Sequence, residues 1–167
     1  WRCWHAPASF LTPKLRTINI PYCALFGAGN PLGMMCSYSA INGTSSCENP
    51  HLLTNWARRS QGFEGNVVTD CGALAESSEP KDVATSAADG LNAGTDLNCG
   101  HVFDHGVAPA ISRGLTTSAT LNQTVERTFR LMMRAGYFDP VINANTVQHT
   151  TQSVVSAILL SSSCILK

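Results

Sequence analysis

The apolar positions of this chain alternate between short continuous runs and helical stripes. Leu32-Gly33-Met34-Met35-Cys36-Ser37-Tyr38 is a compact run of the kind carried by buried strands. Asn42-Gly43-Thr44-Ser45-Ser46 supplies loop chemistry after it. Asn49 and Pro50 place an N-cap and a first-turn proline before an apolar face of Leu52, Leu53 and Trp56, and Gly62 ends that helix. A second strand is predicted at Asn66-Val67-Val68-Thr69, running into Asp70-Cys71-Gly72. Pro80 opens a helix with Val83, Ala84, Ala87, Ala88 and Leu91 on its buried face and Gly94 at its end. Residues 95–97 read as a third short strand leading into Asn98-Cys99-Gly100.

A further helix is placed between Asp104 and Arg113, with Pro109 breaking its pattern. The strongest helical signal covers residues 121–135. Thr120 and Gln123 have the spacing of a capping box, Leu121, Val125, Phe129 and Met132 form a stripe, and Gly136 closes the end. Beyond Pro140 the chain turns polar and reads as a linker, with residues 154–160 as a short helix. Residues 1–31 show little periodicity; Gly27, Gly29 and Gly33 lack dinucleotide-loop spacing, and Pro31 interrupts them.

Strand and helix therefore alternate, which predicts an α/β fold with a parallel sheet and covering helices. A closed eightfold barrel takes roughly 250 residues. This chain has 167. It reads as a partial (β/α)8 TIM barrel comprising the last strands and helices. Three stretches follow from the pattern: an irregular segment 1–31, the barrel part 32–140, and a linker 141–167.

Composition narrows the partners. Formal net charge is zero and only 13% of residues are charged, so nucleic-acid binding has no electrostatic footprint. A hydrophobic share of 44% argues against wholesale disorder. No apolar run reaches the roughly 18 residues that span a bilayer, so no membrane partner is expected. The chain starts at Trp1 without a leader pattern and stops within an apolar stretch, so a piece of a longer protein is expected. Seven scattered cysteines without a C-x-x-C pair favour disulfides in an oxidising compartment over structural zinc. Secretion to the extracellular space is the expectation.

Tyr38, Asp70 and Asp96 each follow an apolar run and precede a loop. Such positions at strand C-termini hold the reactive groups of α/β barrels. Asp70 is the candidate nucleophile, because a carboxylate can attack an anomeric carbon; capping of the next turn is the alternative. Asp96 fits a structural carboxylate better. Tyr38 could pack its ring while its hydroxyl meets a ligand or Asp70, or be a core tyrosine. His101, Asp104 and His105 lack the H-E-x-x-H pattern, so neither metal nor cofactor is expected. No G-x-S-x-G elbow occurs, and Cys71 reads as a disulfide partner or buried thiol.

Four motifs carry a resemblance. Met35-Cys36-Ser37-Tyr38-Ser39-Ala40-Ile41-Asn42-Gly43 resembles the M-C-S-Y-N-A-V-N-G segment of glycoside hydrolase family 3. Asn66-Val67-Val68-Thr69-Asp70-Cys71-Gly72-Ala73 is similar to its nucleophile strand, G-x-V-V-S-D-C-G-A. Ala93-Gly94-Thr95-Asp96-Leu97-Asn98-Cys99-Gly100 resembles A-G-T-D-L-x-C-G, and Arg134-Ala135-Gly136-Tyr137-Phe138-Asp139-Pro140 resembles the closing R-L-G-x-F-D-P. Together they cover about residues 32–140. Ser39 replaces the common Asn, and Thr44-Ser45 replaces the usual Val-Pro. Cys36 and Cys47 flank this loop and are candidates for a disulfide.

The resemblance implies a retaining β-glycosidase acting on oligosaccharides through a covalent glycosyl-enzyme on Asp70, with Tyr38 binding substrate. It implies a following α/β sandwich domain, missing here, that supplies the general acid/base. The Lys-His pair and Arg expected upstream have no match in residues 1–31. Cys71 after the aspartate is closer to β-xylosidase and arabinosidase members than to β-glucosidases, which tend to carry Trp there. The expected function is β-D-xylosidase-like hydrolysis in xylan catabolism. A family β-glucosidase and a catalytically inactive fragment are the alternatives.

Overall fold

The computed structural model describes residues 29–76 and 81–139. The predicted irregular start, Pro80, the linker and the short helix at 154–160 lie outside the described residues. Two parallel strands, β1 (Gly33–Cys36) and β4 (Asn66–Thr69), pair in the register Met34↔Val67 and Met35↔Val68. Val68 also bridges Leu97 in parallel. The predicted third strand is thus reduced to one bridge. The cause is chemical: the Val67 amide, which would extend the ladder, donates instead to Asp96 Oδ2 at 2.8 Å.

Between these strands the chain makes a small hairpin, β2 (Ala40–Ile41) against β3 (Thr44–Ser45), where a loop was predicted. Asn42 and Gly43 connect them at φ 52° and 79°, the left-handed pair that a two-residue hairpin turn requires. A π-helix follows at His51–Ser60, with Leu53 and Ala57 buried. Asn49 Oδ1 accepts from the His51 and Leu52 amides at 3.0 and 3.1 Å, so it caps the helix from one position upstream of Pro50.

Three α-helices follow among the described residues: α1 (Val83–Ala93), α2 (Val102–Ser112) and α3 (Ser118–Arg134). Ala84, Ala87, Ala88 and Leu91 of α1 are buried, but Val83 is 46% exposed, contrary to the predicted stripe. The capping side chain is Asp82, whose Oδ1 accepts from Ala84 and Thr85. α2 begins at Val102, before the predicted start, because Asn98 Oδ1 accepts the Val102 and Phe103 amides. Pro109 lies inside it. The core gathers Leu53, Ala57, Val67, Leu74, Ala87 and Val102 between the sheet and these helices.

α3 departs most from expectation. Thr117, not Thr120, is its N-cap, with Oγ1 accepting the Thr120 amide at 3.1 Å. Val125 and Phe129 of the predicted stripe are exposed, and Leu121 and Met132 only half-buried. Thr124 is buried instead, with Arg127 and Thr128 half-buried beside it. That polar side meets polar groups: Arg127 reaches Asp96, and Asn66 donates to Thr128 Oγ1 at 2.8 Å. From Gly136 the chain forms a separate unit, within which the described rings of Tyr137 and Phe138 meet edge to face.

Two predictions arise here. A Cβ on Gly106 would stand 2.4 Å from the Val83 carbonyl and 2.6 Å from Ala87 Cβ. Gly106→Ala should therefore cost about 1–3 kcal/mol by forcing α2 off α1, read as a lower urea midpoint. An unchanged midpoint would show that the helices separate freely. Second, hydrogen bonds from Arg113 (2.6 Å) and the Thr85 hydroxyl (2.7 Å) hold the Asp82 carboxyl well below the usual carboxylate range. A depressed carboxyl stabilises the fold above its unfolded value, about 3.9, and that stability is lost as pH falls below it. The melting-temperature gap between the native chain and Asp82→Asn should be present at pH 7 and shrink as pH falls from 4 toward 2. A gap constant with pH would refute the linkage.

Candidate active site

The strand pair orients everything that follows. Side chains alternate along each strand, and paired residues of parallel strands share a face. Val67 and Thr69 turn to the helices and are buried, together with Cys36 and Asp96. The other face carries Met35, Val68 and Leu97 in one register row; Met35 is 62% exposed and Leu97 48%. Asp70 continues the Val68 position one repeat further, just past the end of β4, and is half-buried.

Asp70 is held at its backbone and at one oxygen. Its amide donates to the Cys36 carbonyl at 2.9 Å, and its carbonyl accepts the Ala73 amide at 3.1 Å. Oδ1 accepts the Cys71 amide at 2.8 Å. Oδ2 has no hydrogen bond among the described residues, so the carboxylate keeps one oxygen for another partner. Asp70 therefore does cap its own turn, and the capping occupies only half of the carboxylate.

Tyr38 follows β1 and is half-exposed; its hydroxyl donates to the Cys71 carbonyl. Desolvation, then the negative charges of Asp70 and Glu76, raise its phenol above the ordinary value. It thus stays a donor at neutral pH. The structure brings Tyr38 and Asp70 to the ends of adjacent strands and links them through Cys71. Cys36 and Cys47 form a disulfide that ties β1 to the turn at Ser46–Glu48.

A second disulfide joins Cys71 to Cys99, a pairing that the sequence reading left open. The two cysteines meet because each lies just beyond the end of neighbouring strands, an adjacency that their spacing in the sequence does not signal. Gly72, at φ 87°, donates its amide to the Cys99 carbonyl at 2.8 Å.

Asp96 belongs to the fold. Its carboxylate is fully buried and takes Arg58 Nη2 at 2.6 Å and Arg127 Nε at 2.6 Å as well as the Val67 amide. Burial pushes the Arg58 guanidinium below its ordinary value, and the Asp96 charge opposes that. Both arginines were missed in the sequence; their sign is a cation at the inner edge of an apolar face in a chain poor in charge. His101 and Asp104 stand 3.9 Å apart with both side chains largely exposed. Among the described residues no group of three or more His, Cys, Asp or Glu side chains is placed to hold a metal. A cavity of about 320 Å³ lies elsewhere, between Thr44, Glu48, Lys81 and Asp89, and includes neither Tyr38 nor Asp70.

Residues 12–131 match the glycosyl hydrolase family 3 N-terminal domain. A probable exo-1,4-beta-xylosidase of Aspergillus clavatus is 40% identical over 114 residues, which are 64% of this chain and 15% of that protein. A counterpart from Aspergillus oryzae is 41% identical over the same length, 14% of its own. The chain therefore spans about 15% of the length of these curated relatives. Among solved structures, a GH3 exo-beta-xylosidase in complex with a xylobiose aziridine probe is similar at TM-score 0.70 and 30% identity, over 75% of this chain and 17% of the other. A beta-glucosidase from Listeria innocua shares the fold at TM-score 0.68 and 24% identity, over 76% of this chain and 18% of its own. With 120 consecutive residues matching the family's N-terminal domain, this chain belongs to glycosyl hydrolase family 3.

Proposed function

We propose that this chain is the nucleophile-bearing part of a secreted, retaining β-xylosidase-like enzyme, and that Asp70 is its nucleophile. One observation carries the reading: a half-buried carboxylate just past the end of a parallel strand, with one oxygen hydrogen-bonded and the other without a hydrogen bond among the described residues. Oδ2 attacks the anomeric carbon of a terminal β-linked sugar. The bond to the leaving oxygen breaks as a general acid from outside this chain protonates it, and water later releases the sugar from Asp70. Tyr38, whose hydroxyl hydrogen is held by the Cys71 carbonyl, presents its oxygen lone pairs beside Asp70 to accept from a hydroxyl of the sugar.

The architecture in this reading is the last part of a (β/α)8 barrel, followed after about residue 140 by a linker to an α/β sandwich domain. The apolar row of exposed Met35, half-buried Val68 and exposed Leu97 supports it, because an apolar sheet face of this kind is the interior of a closed barrel. The xylosidase preference draws on the exo-1,4-beta-xylosidases matched over 64% of the chain.

A dinitrophenyl 2-fluoroxyloside tests the assignment, since its leaving group departs without a proton. Peptide mapping should place the label on Asp70; a label on another carboxylate overturns the reading. Turnover of nitrophenyl xyloside by the 167 residues alone should be negligible. An ordinary enzyme rate, about 1–1,000 per second, would show that the acid/base is already present.

A further inference from the structure

The residues flanking Asp70 on both sides are tied to one other segment of the chain. Thr69, buried and immediately upstream, accepts at Oγ1 from Asn98 Nδ2 at 3.2 Å and from the Cys99 amide at 2.9 Å. Cys71, immediately downstream, is bonded to Cys99. The Gly72 amide donates to the Cys99 carbonyl at 2.8 Å. Asn98 is itself anchored, because its Oδ1 accepts the first amides of α2 at 3.1 and 3.3 Å. Tyr38 closes the fourth side through the Cys71 carbonyl.

We propose that the Asn98-Cys99 segment is a positioning element for Asp70. Asn98 and Cys99 hold Thr69, Cys71 and Gly72, and through the Cys71 amide they fix which way the Asp70 carboxylate faces. The inference rests on Asp70 being the nucleophile. A carboxylate past a strand end has only local bonds to orient it, and loops open more readily than core strands. Here that loop is bound by one covalent link and three hydrogen bonds to a neighbour whose own position is set by a helix start. Displacements of about 1 Å at a reacting group can cost a hundredfold in rate, so such a tie has catalytic consequence without touching substrate.

The amide of residue 71 reports the arrangement directly, since it donates to Asp70 Oδ1. Its hydrogen exchange is compared in the full chain, in Thr69→Val, in Thr69→Ser and in Cys71→Ser/Cys99→Ser. Leu53 and Val67 amides serve as core controls. Thr69→Val should speed exchange at residue 71 about tenfold while the controls hold; Thr69→Ser, which keeps the hydroxyl, should restore the native rate. The double serine variant should match Thr69→Val. It decides the matter if Thr69→Val also frees the core amides. A native rate at residue 71 in the deciding variant, or Thr69→Ser behaving like Thr69→Val, overturns the proposal. Labelling with the fluoroxyloside is scored separately. A label away from Asp70 removes the nucleophile reading, whatever the exchange rates show. A label on Asp70 with unaltered exchange removes the positioning role alone.

Discussion

Asp96→Ala is expected to leave the chain largely unfolded at neutral pH. The side chain is 0% exposed and is shared by Arg58 and Arg127, which are only 13% and 18% exposed. Arg58 also donates to the carbonyls of Gly65 (2.9 Å) and Gly94 (3.0 Å), and its guanidinium lies 5.4 Å from the Phe63 ring centre. It cannot withdraw to water without opening the contact between the π-helix and the turn after α1. Removing one member of a buried ionic group typically costs 3–5 kcal/mol, because the remaining charge stays desolvated. That is on the order of the whole stability of a domain. The Val67 amide loses its acceptor as well. Urea unfolding followed by circular dichroism reads the effect, and an unfolding free energy within about 0.5 kcal/mol of the native chain's would exclude this role. Asp96→Asn should fall between the two, since an amide oxygen can still accept from Val67 but cannot balance two guanidinium groups.

Asp70→Asn should have the opposite profile. An asparagine oxygen can keep the bond to the Cys71 amide, so the urea midpoint should stay close to native. Covalent labelling by the fluoroxyloside should fall at least about a thousandfold, which is some 4 kcal/mol of barrier, because a neutral amide is a poor nucleophile. Persistence of the label at residue 70 or elsewhere at the native rate would remove the proposed chemistry. The contrast between the two variants is the stronger test: Asp96→Ala should lose the fold and labelling with it, whereas Asp70→Asn should lose labelling with the urea midpoint unmoved.

The two aspartates hold similar positions in the sequence, although it already favours Asp70 as the nucleophile and Asp96 as a structural carboxylate. Each ends a short apolar run, and each is followed within two residues by a cysteine or asparagine loop. Strand register separates them. Val68 pairs with Leu97, so Asp96 shares the helix-covered face with Val67, while Asp70 lies on the open side with Val68. A slip of one residue would exchange their environments, and nothing local to either motif fixes that register.

Elements whose signals are local were legible before any fold was known. Asn66-Val67-Val68-Thr69 is a strand with its predicted ends, because two β-branched valines between turn residues need no distant partner to be recognised. Gly94, at φ 109°, ends α1 as its backbone freedom requires. The family motifs around Tyr38 and Asp70 are equally local. Features that depend on neighbours remote in sequence emerged with the folded chain. α3 turns Thr124, Arg127 and Thr128 inward, against an apolar stripe that would be buried were the helix alone with an oily surface. Its facing ground is the Asp96 and Asn66 side chains, and a buried charge left unmatched costs more than exposing a few apolar residues. The Cys71 to Cys99 pairing is of the same kind, since which cysteines meet follows from strand adjacency and not from spacing.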